Sequence, residues 1–259
     1  MAEEKETKNP VQSAERIFQV LEMLAENGEM GLMEISAALN LHKSTVHRLL
    51  MSLIYMGYAK QDETTQKYML SYKLVSMAGK ILERTDILQI ARPYMEHLSA
   101  VSGETVHLVQ REGNHILYIY KIEAKVGTIR MVSHVGMVHP MYCSGVGKAI
   151  MATLPEKEVK QIWNESIIEK KTYKTITDID EMLRELEDIR KNGYALDDEE
   201  NEEGVRCIAA CLHGYGKEVK YAFSISGPVS RMTKERVEEL SVDVKKAQEE
   251  LSRELGYYK

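Results

Sequence analysis

The sequence has few of the features that mark secreted or membrane proteins. It contains only three cysteines, an odd number, so a framework of paired disulfides is not expected. No run of about eighteen uncharged apolar residues occurs, so neither a membrane-spanning helix nor a membrane partner is expected. The first ten residues, MAEEKETKNP, lack the apolar centre of a signal peptide. We therefore expect a globular protein of the reducing cytoplasm.

An excess of basic charge is also missing, but the acidic residues are unevenly distributed. The net charge of −6 does not favour nucleic-acid binding as a property of the whole chain. However, no Asp or Glu occurs from Ile35 to Gln61, although Lys43, Arg48 and Lys60 fall in this segment. The segment is a candidate for contact with phosphates, while a neutral amphipathic hairpin is the alternative explanation.

The length of 259 residues exceeds that of most single hydrophobic cores and predicts two domains. We predict a disordered tail at 1–10, a first domain at 11–71, a linker helix at 72–86 and a second domain at 87–259. The helical stretch from 72 to 102 contains Pro93, which should break or kink it near Ala91–Arg92.

The N-terminal domain is predicted to be a winged helix-turn-helix. Three segments have apolar residues at helical spacing, and two short strand-like runs follow around the polar turn DETTQ. Ser13 is expected to cap the first helix and Gly28 to end it. The five elements are placed at about 13–27, 32–39, 43–56, 58–61 and 67–70. Three helices followed by a hairpin form a winged helix.

The second domain is predicted to be an α+β domain around an antiparallel sheet. Its apolar pattern changes to a period of two, and turn residues such as Glu112-Gly113-Asn114 separate short runs. Strands are expected at 105–111, 115–121, 128–134, 194–196, 205–213 and 219–226. Helices are expected at 144–152, from Pro155, at 178–191 and at 233–255. Strands grouped with helices at their margins are typical of this class.

The third predicted helix has the division of faces that a DNA-recognition helix needs. Its core stripe is Val46, Leu49, Leu50 and Leu53, and its other face is polar. Polar residues at the helix start can reach base edges and phosphates, and lysines of the hairpin can reach phosphates. The candidate DNA-binding residues are Lys43, Ser44, Thr45, His47, Arg48, Lys60 and Lys67. A solvated polar face is the alternative interpretation.

Several long motifs resemble one family of regulators. SAERIFQVLEML, LHKSTVHRLLMSLIYMGYA and KYMLSYKL resemble the DNA-binding domain of IclR-type regulators. HPMYCSGVGKAIMA, GYALDDEENEEGVRCIAAC and AFSISGP resemble that family's effector domain. The resemblance implies a transcription regulator with a GAF- or profilin-like sensor domain. It also implies a homodimer or homotetramer, for which a palindromic operator is expected because a symmetric dimer presents two recognition helices.

The segment Ser144-Gly145-Val146-Gly147 is a candidate site for an anion, because small residues at a helix start leave backbone N–H groups accessible. Simple capping by Ser144 is the alternative. The resemblance implies that Gly145 and Val146 donate to an effector carboxylate. It also implies that Asp197, Cys207 and Ser224 contact the rest of the ligand. Met131 is added to these as a candidate pocket residue, as are Tyr118, Tyr120 and Tyr142, although a place in the core is the alternative for all four. Asp198, Glu199 and Glu200 are expected to form a solvated loop.

Other chemistry is not favoured. The spacing of Cys207 and Cys211 is loose for zinc even with Cys143 and His213, and the sequence locates no base for a nucleophilic cysteine. SGVGKA lacks the glycine and hydroxyl residue of a phosphate loop, because Tyr142 and Ala149 stand there. We therefore predict no catalytic residue, metal or cofactor. An enzyme that uses Cys207 or Cys143 is the alternative of a different class.

The effector is expected to be a small carboxylate. RMVSHVGMVHPMYCSGVGKA and LDDEENEEGVRC most resemble the branch that represses hexuronate and 2-keto-3-deoxygluconate catabolism. This resemblance implies a repressor that responds to a 2-keto sugar acid. The alternative is an activator or dual regulator that responds to another acid, such as pyruvate or glyoxylate.

Overall fold

The structure is a computed structural model, and it describes residues 10–82, 86–124, 131–216 and 218–258. The chain forms two compact units, with the boundary between Thr85 and Asp86. Apart from Pro10, the predicted disordered tail lies outside the described residues. In the described part, no helix is both long enough and apolar enough to cross a membrane.

The first unit contains three helices, a two-stranded hairpin and a fourth helix. Its core contains Val20 and Leu24 of the first helix, Ile35 of the second, and Leu50 and Leu53 of the third. The elements are α1 (Gln12–Asn27), α2 (Leu32–Ala38), α3 (Lys43–Tyr55), β1 (Ala59–Gln61), β2 (Tyr68–Leu70) and α4 (Lys73–Leu82). This order confirms the winged helix-turn-helix that the apolar spacing predicts.

The prediction that Ser13 caps α1 is wrong. The helix begins at Gln12, its N-cap is Val11, and no side chain caps it. The carbonyl of Val11 instead accepts from the amides of Ala14 and Glu15. Ser13 therefore lies inside the first turn, where its hydroxyl is too late in the chain to cap. Gly28 ends the helix as predicted, at a φ of +75° that favours glycine.

The second unit is an antiparallel sheet with helices on both faces, which confirms the α+β prediction. Its sheet has the strand order β5-β4-β3-β8-β7-β6. The strands are β3 (Thr105–Glu112), β4 (His115–Ile122), β5 (Val138–Pro140), β6 (Ala195–Asp198), β7 (Val205–Leu212) and β8 (Tyr221–Pro228). The helices are α5 (Ile87–Ser102), α6 (Gly145–Met151), α7 (Glu156–Glu165), α8 (Ile179–Asn192) and α9 (Lys234–Glu254).

The two faces of this sheet carry separate cores because successive strand residues point to opposite sides. Leu108 and Phe223 pack with the apolar residues of α5 and α9. Their neighbours Val109 and Ala222 pack with those of α6, α7 and α8. The sheet is thus covered on both faces, and polar residues on the α6 side are brought together under that helix.

Two predictions for the second unit need correction. Pro93 does not break a helix at Ala91–Arg92, because α5 runs from Ile87 to Ser102 with Pro93 inside it, while a kink at this position stays a prediction. Tertiary packing explains this result, since Ala91, Met95 and Leu98 of α5 are buried against the sheet.

The predicted strand at 128–134 is also not observed. Residues 125–130 lie outside the described residues, and Met131 to His134 form no strand. The short strand β5 pairs with β4 instead, with His139 opposite Ile116. The alternating pattern at 128–134 therefore precedes the edge strand β5 in the chain and does not mark its position.

Candidate functional site

The recognition helix α3 has the two faces that its sequence predicts. Val46, Leu49, Leu50 and Leu53 are buried in the core of the first unit. Four of the five candidate residues on the other face are exposed, and one is partly buried. The exposed residues are Lys43, Ser44, His47 and Arg48, and the partly buried one is Thr45. The polar side of α3 is therefore available to a partner.

The hairpin that follows α3 in the chain carries two further candidate lysines. Lys60 on β1 is exposed, and Lys67 just before β2 is partly exposed. Asp62 stabilises the turn between them, because its Oδ1 accepts from the amides of Thr64 and Thr65 at 2.9 and 2.7 Å. These hydrogen bonds hold the pKa of Asp62 below its usual value. The acid at the tip is thus engaged by its own turn.

A cavity of the second unit lies between the sheet and the start of α6, and its volume is about 80 Å³. It brings together all seven residues that the sequence analysis selects for the effector. They are Met131, Ser144, Gly145, Val146, Asp197, Cys207 and Ser224. The structure shows that these residues share one cavity, while their contact with an effector stays a prediction.

The strands supply a row of polar residues to this cavity. Asp197 on β6 pairs with Cys207 on β7, and Cys207 pairs with Ser226 on β8. Ser224, two residues earlier, pairs with His107 on β3. The sequence analysis misses several cavity residues: His107, Val132, Ser133, Met137, His139, Asn201, Glu202, Val205 and Ser226. Strand alternation was the available signal. His107 and Ser226 each lie next in the chain to a buried apolar residue, so their side chains point to the opposite face of the sheet.

The aromatic candidates are divided between cavity and core. Tyr118 lines the cavity. Tyr142 is buried in the core, and its hydroxyl donates to the carbonyl of Glu169 at 2.9 Å. Tyr120 packs against the α5 side of the sheet. Only one of the three tyrosines therefore faces the candidate site.

The start of α6 combines a capping side chain with accessible amides. Ser144 is the N-cap, and its Oγ accepts from the amide of Gly147 at 3.2 Å. The carbonyl of Ser144 accepts from the amide of Lys148. Within the described residues, the amides of Gly145 and Val146 have no acceptor, as is usual for the first amides of a helix. Capping by Ser144 and accessible amides are thus compatible.

Glycine is required where α6 approaches its neighbours. A Cβ at Gly147 would lie 2.2 Å from the carbonyl oxygen of Met141. At Gly145, a Cβ would lie 3.3 Å from the Cβ of Ala209 on β7 and 3.4 Å from the amide nitrogen of Asp197. Gly147 therefore lets the backbone at Met141 lie against α6, and Gly145 lets α6 pack closely on the sheet beside Asp197.

Asp197 is a buried acid at the cavity wall. Its Oδ1 accepts from the amide of Glu200 at 2.8 Å and from that of Asn201 at 3.4 Å. Burial raises its pKa to about 6, against the effect of these hydrogen bonds and of the charge on Lys148. Asp197 can therefore gain or lose a proton near neutral pH, and its second oxygen is available to a ligand hydroxyl.

The acidic run after Asp197 is not a solvated loop, which corrects the expectation for Asp198, Glu199 and Glu200. Glu200 is buried and paired with Lys148, which is fully buried on α6. Asp198 bonds Arg206 and Lys174, and Glu199 also bonds Lys174. The tertiary structure supplies cations from distant segments, so the loop that carries Asp197 is fixed in place.

Lys148 forms a cluster with Glu200 and with Glu185 of α8. The Oε1 of Glu185 lies 2.8 Å from the Nζ of Lys148. The two carboxylates raise the pKa of Lys148 despite its burial. Lys148 therefore stays charged, and it ties α6 both to α8 and to the acidic run. This cluster holds the helix start and the Asp197 loop in one arrangement.

The cysteines are not arranged for catalysis. His139 Nδ1 lies 3.9 Å from Cys143 Sγ, but burial raises the pKa of that thiol to about 11 and lowers that of the histidine. Burial also raises the pKa of Cys207, and that of Cys211 to about 11. A thiolate nucleophile is thus disfavoured. Among the described residues, no three His, Cys, Asp or Glu side chains are grouped to hold a metal.

Comparison with known proteins identifies the two units. The family model for the IclR helix-turn-helix domain matches residues 13–63, and that for the bacterial transcriptional regulator IclR C-terminal domain matches residues 79–253. The chain is 34% identical to the HTH-type transcriptional regulator KdgR of Escherichia coli K12, over 96% of this chain and 94% of that protein. It is 37% identical to the DNA-binding transcriptional repressor YiaJ of the same strain, over 99% and 92%.

A solved structure is similar to nearly the whole length of the chain. The crystal structure of the Thermotoga maritima IclR is 34% identical, with a TM-score of 0.64 over 95% of this chain and 99% of that one. The matched proteins are transcriptional regulators rather than enzymes.

Proposed function

This chain belongs to the IclR family of bacterial DNA-binding transcriptional regulators, and from that premise we propose that it represses genes of sugar-acid catabolism under the control of a 2-keto sugar acid. The convergence of seven selected residues on one cavity is the observation that carries the effector part of this proposal. The resemblance of the chain to the branch that controls 2-keto-3-deoxygluconate and hexuronate catabolism supports the choice of ligand.

We propose that α3 reads the operator. The guanidinium of Arg48 can bond two acceptors of a guanine, and Ser44 and His47 can bond bases or phosphates. Lys43, Lys60 and Lys67 contact phosphates in this proposal, and Thr45 assists at the helix start. The exposure of these side chains supports the assignment.

We propose that the effector carboxylate binds the amides of Gly145 and Val146. These amides lie at the cavity and have no acceptor in the part of the chain that the structure describes. Asp197 then accepts from ligand hydroxyls, and Ser224 bonds the polar chain. Cys207 and Met131 contact the remaining surface of the ligand, and Ser144 holds the helix start.

The size of the cavity favours a second candidate ligand. A volume of about 80 Å³ is far below the roughly 300–1,000 Å³ of typical sites for drug-sized ligands. This observation favours a short keto acid such as pyruvate or glyoxylate, which needs less space than a six-carbon acid. With such a ligand, Asp197 would have no ligand hydroxyl to accept from.

We propose that the protein acts as a homodimer or homotetramer on a palindromic operator. The helix α4 carries exposed apolar side chains, among them Val75, which is 62% exposed, and Met77, which is 46% exposed. Contact with a second copy would remove such side chains from water. Sedimentation of the wild type and of Val75→Glu tests this idea, because the charged variant should shift toward the monomer.

The effector proposal is tested in two steps. Calorimetry measures the binding of 2-keto-3-deoxygluconate, pyruvate and glyoxylate to the wild type and to Ser224→Ala. Ser230→Ala, which changes a serine that does not line the cavity, is the matched control. Each acid that binds is then added to a titration of a selected operator fragment followed by fluorescence anisotropy. The proposal requires that an acid binds and alters operator affinity; failure of all three acids to bind would contradict it.

A further inference from the structure

His107 is a polar residue of the cavity with hydrogen-bonding partners on both sides of its ring. It is buried on β3, with Lys121 of β4 and Ser224 of β8 as its neighbours in the sheet. Its Nδ1 lies 3.4 Å from Oγ of Ser224 and 3.3 Å from Oγ of Ser226. These two hydroxyl oxygens lie 3.3 Å from one another. One side of the ring therefore belongs to a group of serines inside the cavity.

The other side of the ring contacts the segment Met131–Ser133, which we call the cover segment. All three of its residues line the cavity, although they belong to no helix or strand. Nε2 of His107 lies 2.8 Å from Oγ of Ser133. Lys121 Nζ donates to the carbonyls of Met131 and Ser133. Two neighbouring strand residues thus fasten the cover segment to the sheet.

The ring of His107 is neutral. Burial and the nearby charge of Lys121 lower its pKa to about 3. A neutral imidazole has one donor nitrogen and one acceptor nitrogen. If Nε2 donates to Ser133, Nδ1 must accept from a serine of the cavity, and the reverse holds for the other tautomer. The direction of hydrogen bonding toward the cover segment is therefore linked to its direction toward Ser224 and Ser226.

We propose that His107 is a positioning residue that determines whether Ser224 offers a donor or an acceptor to the effector, and that it links this polarity to the cover segment. The inference rests on the proposed contact between Ser224 and the effector. A keto oxygen only accepts hydrogen bonds, whereas a hydroxyl both donates and accepts. His107 therefore controls discrimination between keto acids and hydroxy acids.

Pyruvate and lactate are the matched probes, because they differ only in the keto or hydroxyl group beside the carboxylate. Calorimetry on the full chain should show that the wild type discriminates between the two acids, in favour of pyruvate if Ser224 donates to the ligand and in favour of lactate if it only accepts. Loss of a hydrogen bond that sets the polarity should change the affinity ratio by roughly tenfold in His107→Asn and in Ser133→Ala. His134→Asn, which changes an exposed histidine next to Ser133 that does not line the cavity, should keep the wild-type ratio.

Hydrogen exchange without any acid provides the second measurement. The peptide that contains residues 131–133 should exchange faster in both variants than in the wild type and in His134→Asn. Ser133→Ala changes the same contact from outside the sheet, so it tests the link even if His107→Asn does not fold. If neither acid binds the wild type, the exchange rate alone tests His107, and the proposed function is contradicted only if 2-keto-3-deoxygluconate and glyoxylate also fail to bind. An unchanged exchange rate, or an unchanged affinity ratio where the acids bind, would overturn the role of His107.

Discussion

At the scale of single residues, Arg48 is the exposed side chain of α3 best suited to bond a guanine. We predict that Arg48→Ala loses specific operator binding while the fold is kept. Loss of a bidentate contact to a base should cost about 1–3 kcal/mol of binding free energy. A gel-shift titration with specific and unrelated DNA measures this loss.

The matched control for Arg48 is Met51→Ala, three residues later on α3. Met51 is 46% exposed and cannot donate a hydrogen bond to a base, so its loss should leave specificity unchanged. If Arg48→Ala retained both the affinity and the specificity of the wild type, Arg48 would have to be removed from the proposed reading residues.

Asp197 is the residue for which pH should matter most. Its pKa is raised by burial to about 6, from 3.8. The folded protein therefore binds this proton more tightly than the unfolded chain, and this contribution to the free energy of unfolding falls as pH rises from about 4 to about 6. Asp197→Asn keeps an oxygen acceptor but cannot ionise, so it should raise the free energy of unfolding at pH 7.5 by about 3 kcal/mol.

Urea denaturation at pH 4 and pH 7.5 measures this gain, which should nearly vanish at pH 4. Asp198→Asn is the control with the opposite sign, because Arg206 and Lys174 lower the pKa of Asp198 despite some burial. It should lose stability at pH 7.5. An Asp197→Asn gain of the same size at both pH values would show that its burial is not the cause.

At the scale of secondary-structure elements, the packing of α6 depends on a glycine rather than on its helical propensity. A Cβ at Gly147 would lie 2.2 Å from the backbone oxygen of Met141, so Gly147→Ala should destabilise the unit by about 1–3 kcal/mol or more. In Gly216→Ala of the same unit, the nearest heavy atom of the described residues would be 4.0 Å from the new Cβ. Chemical denaturation followed by circular dichroism compares the two, and equal stability would contradict the close packing of α6.

The elements also show which sequence patterns predict the structure correctly and which do not. The core stripe of α3 is buried as its spacing predicts, because a single helix needs only one apolar face to be positioned. Pro93 does not break the helix as its residue type predicts, because the burial of α5 outweighs the loss of one amide donor. The expectation of a solvated loop after Asp197 is wrong because the partners of this acidic run, Lys148, Lys174 and Arg206, lie in other parts of the chain.

At the scale of the whole molecule, an acidic chain is predicted to bind DNA with a strong dependence on salt. Lys43, Lys60 and Lys67 supply about six phosphate contacts in a dimer, which gives a log–log slope of affinity against salt near −5. Lys60→Ala removes two of these contacts and should make the slope less steep by about 2. Fluorescence anisotropy at several salt concentrations measures both slopes.

Lys170→Ala, on the second unit, has the same change in charge and controls for the net charge of the chain. Its slope should equal that of the wild type. If binding of the wild type hardly changed with salt, the proposed phosphate contacts of α3 and the hairpin would be excluded.

The sequence by itself determined the winged helix, the α+β class of the second unit and membership of the IclR family. These features depend on local spacing and on long motifs, which are properties of neighbouring residues. It also selected seven residues that prove to share a cavity. Resemblance to family positions indicated five of them, the predicted helix start indicated Ser144, and Met131 was a further pocket candidate. Their contact with an effector remains a prediction.

Only the tertiary structure decided which other residues complete that cavity and how they are held. His107, Ser133 and Ser226 are far apart in the chain and meet through the pairing of β3 with β8 and the placement of the cover segment. Lys148 becomes a buried cation only because α6 packs between α8 and the acidic run. Such contacts arise from long-range pairing, and local patterns carry no information about them, since burial and partner charge are set by segments distant in the sequence.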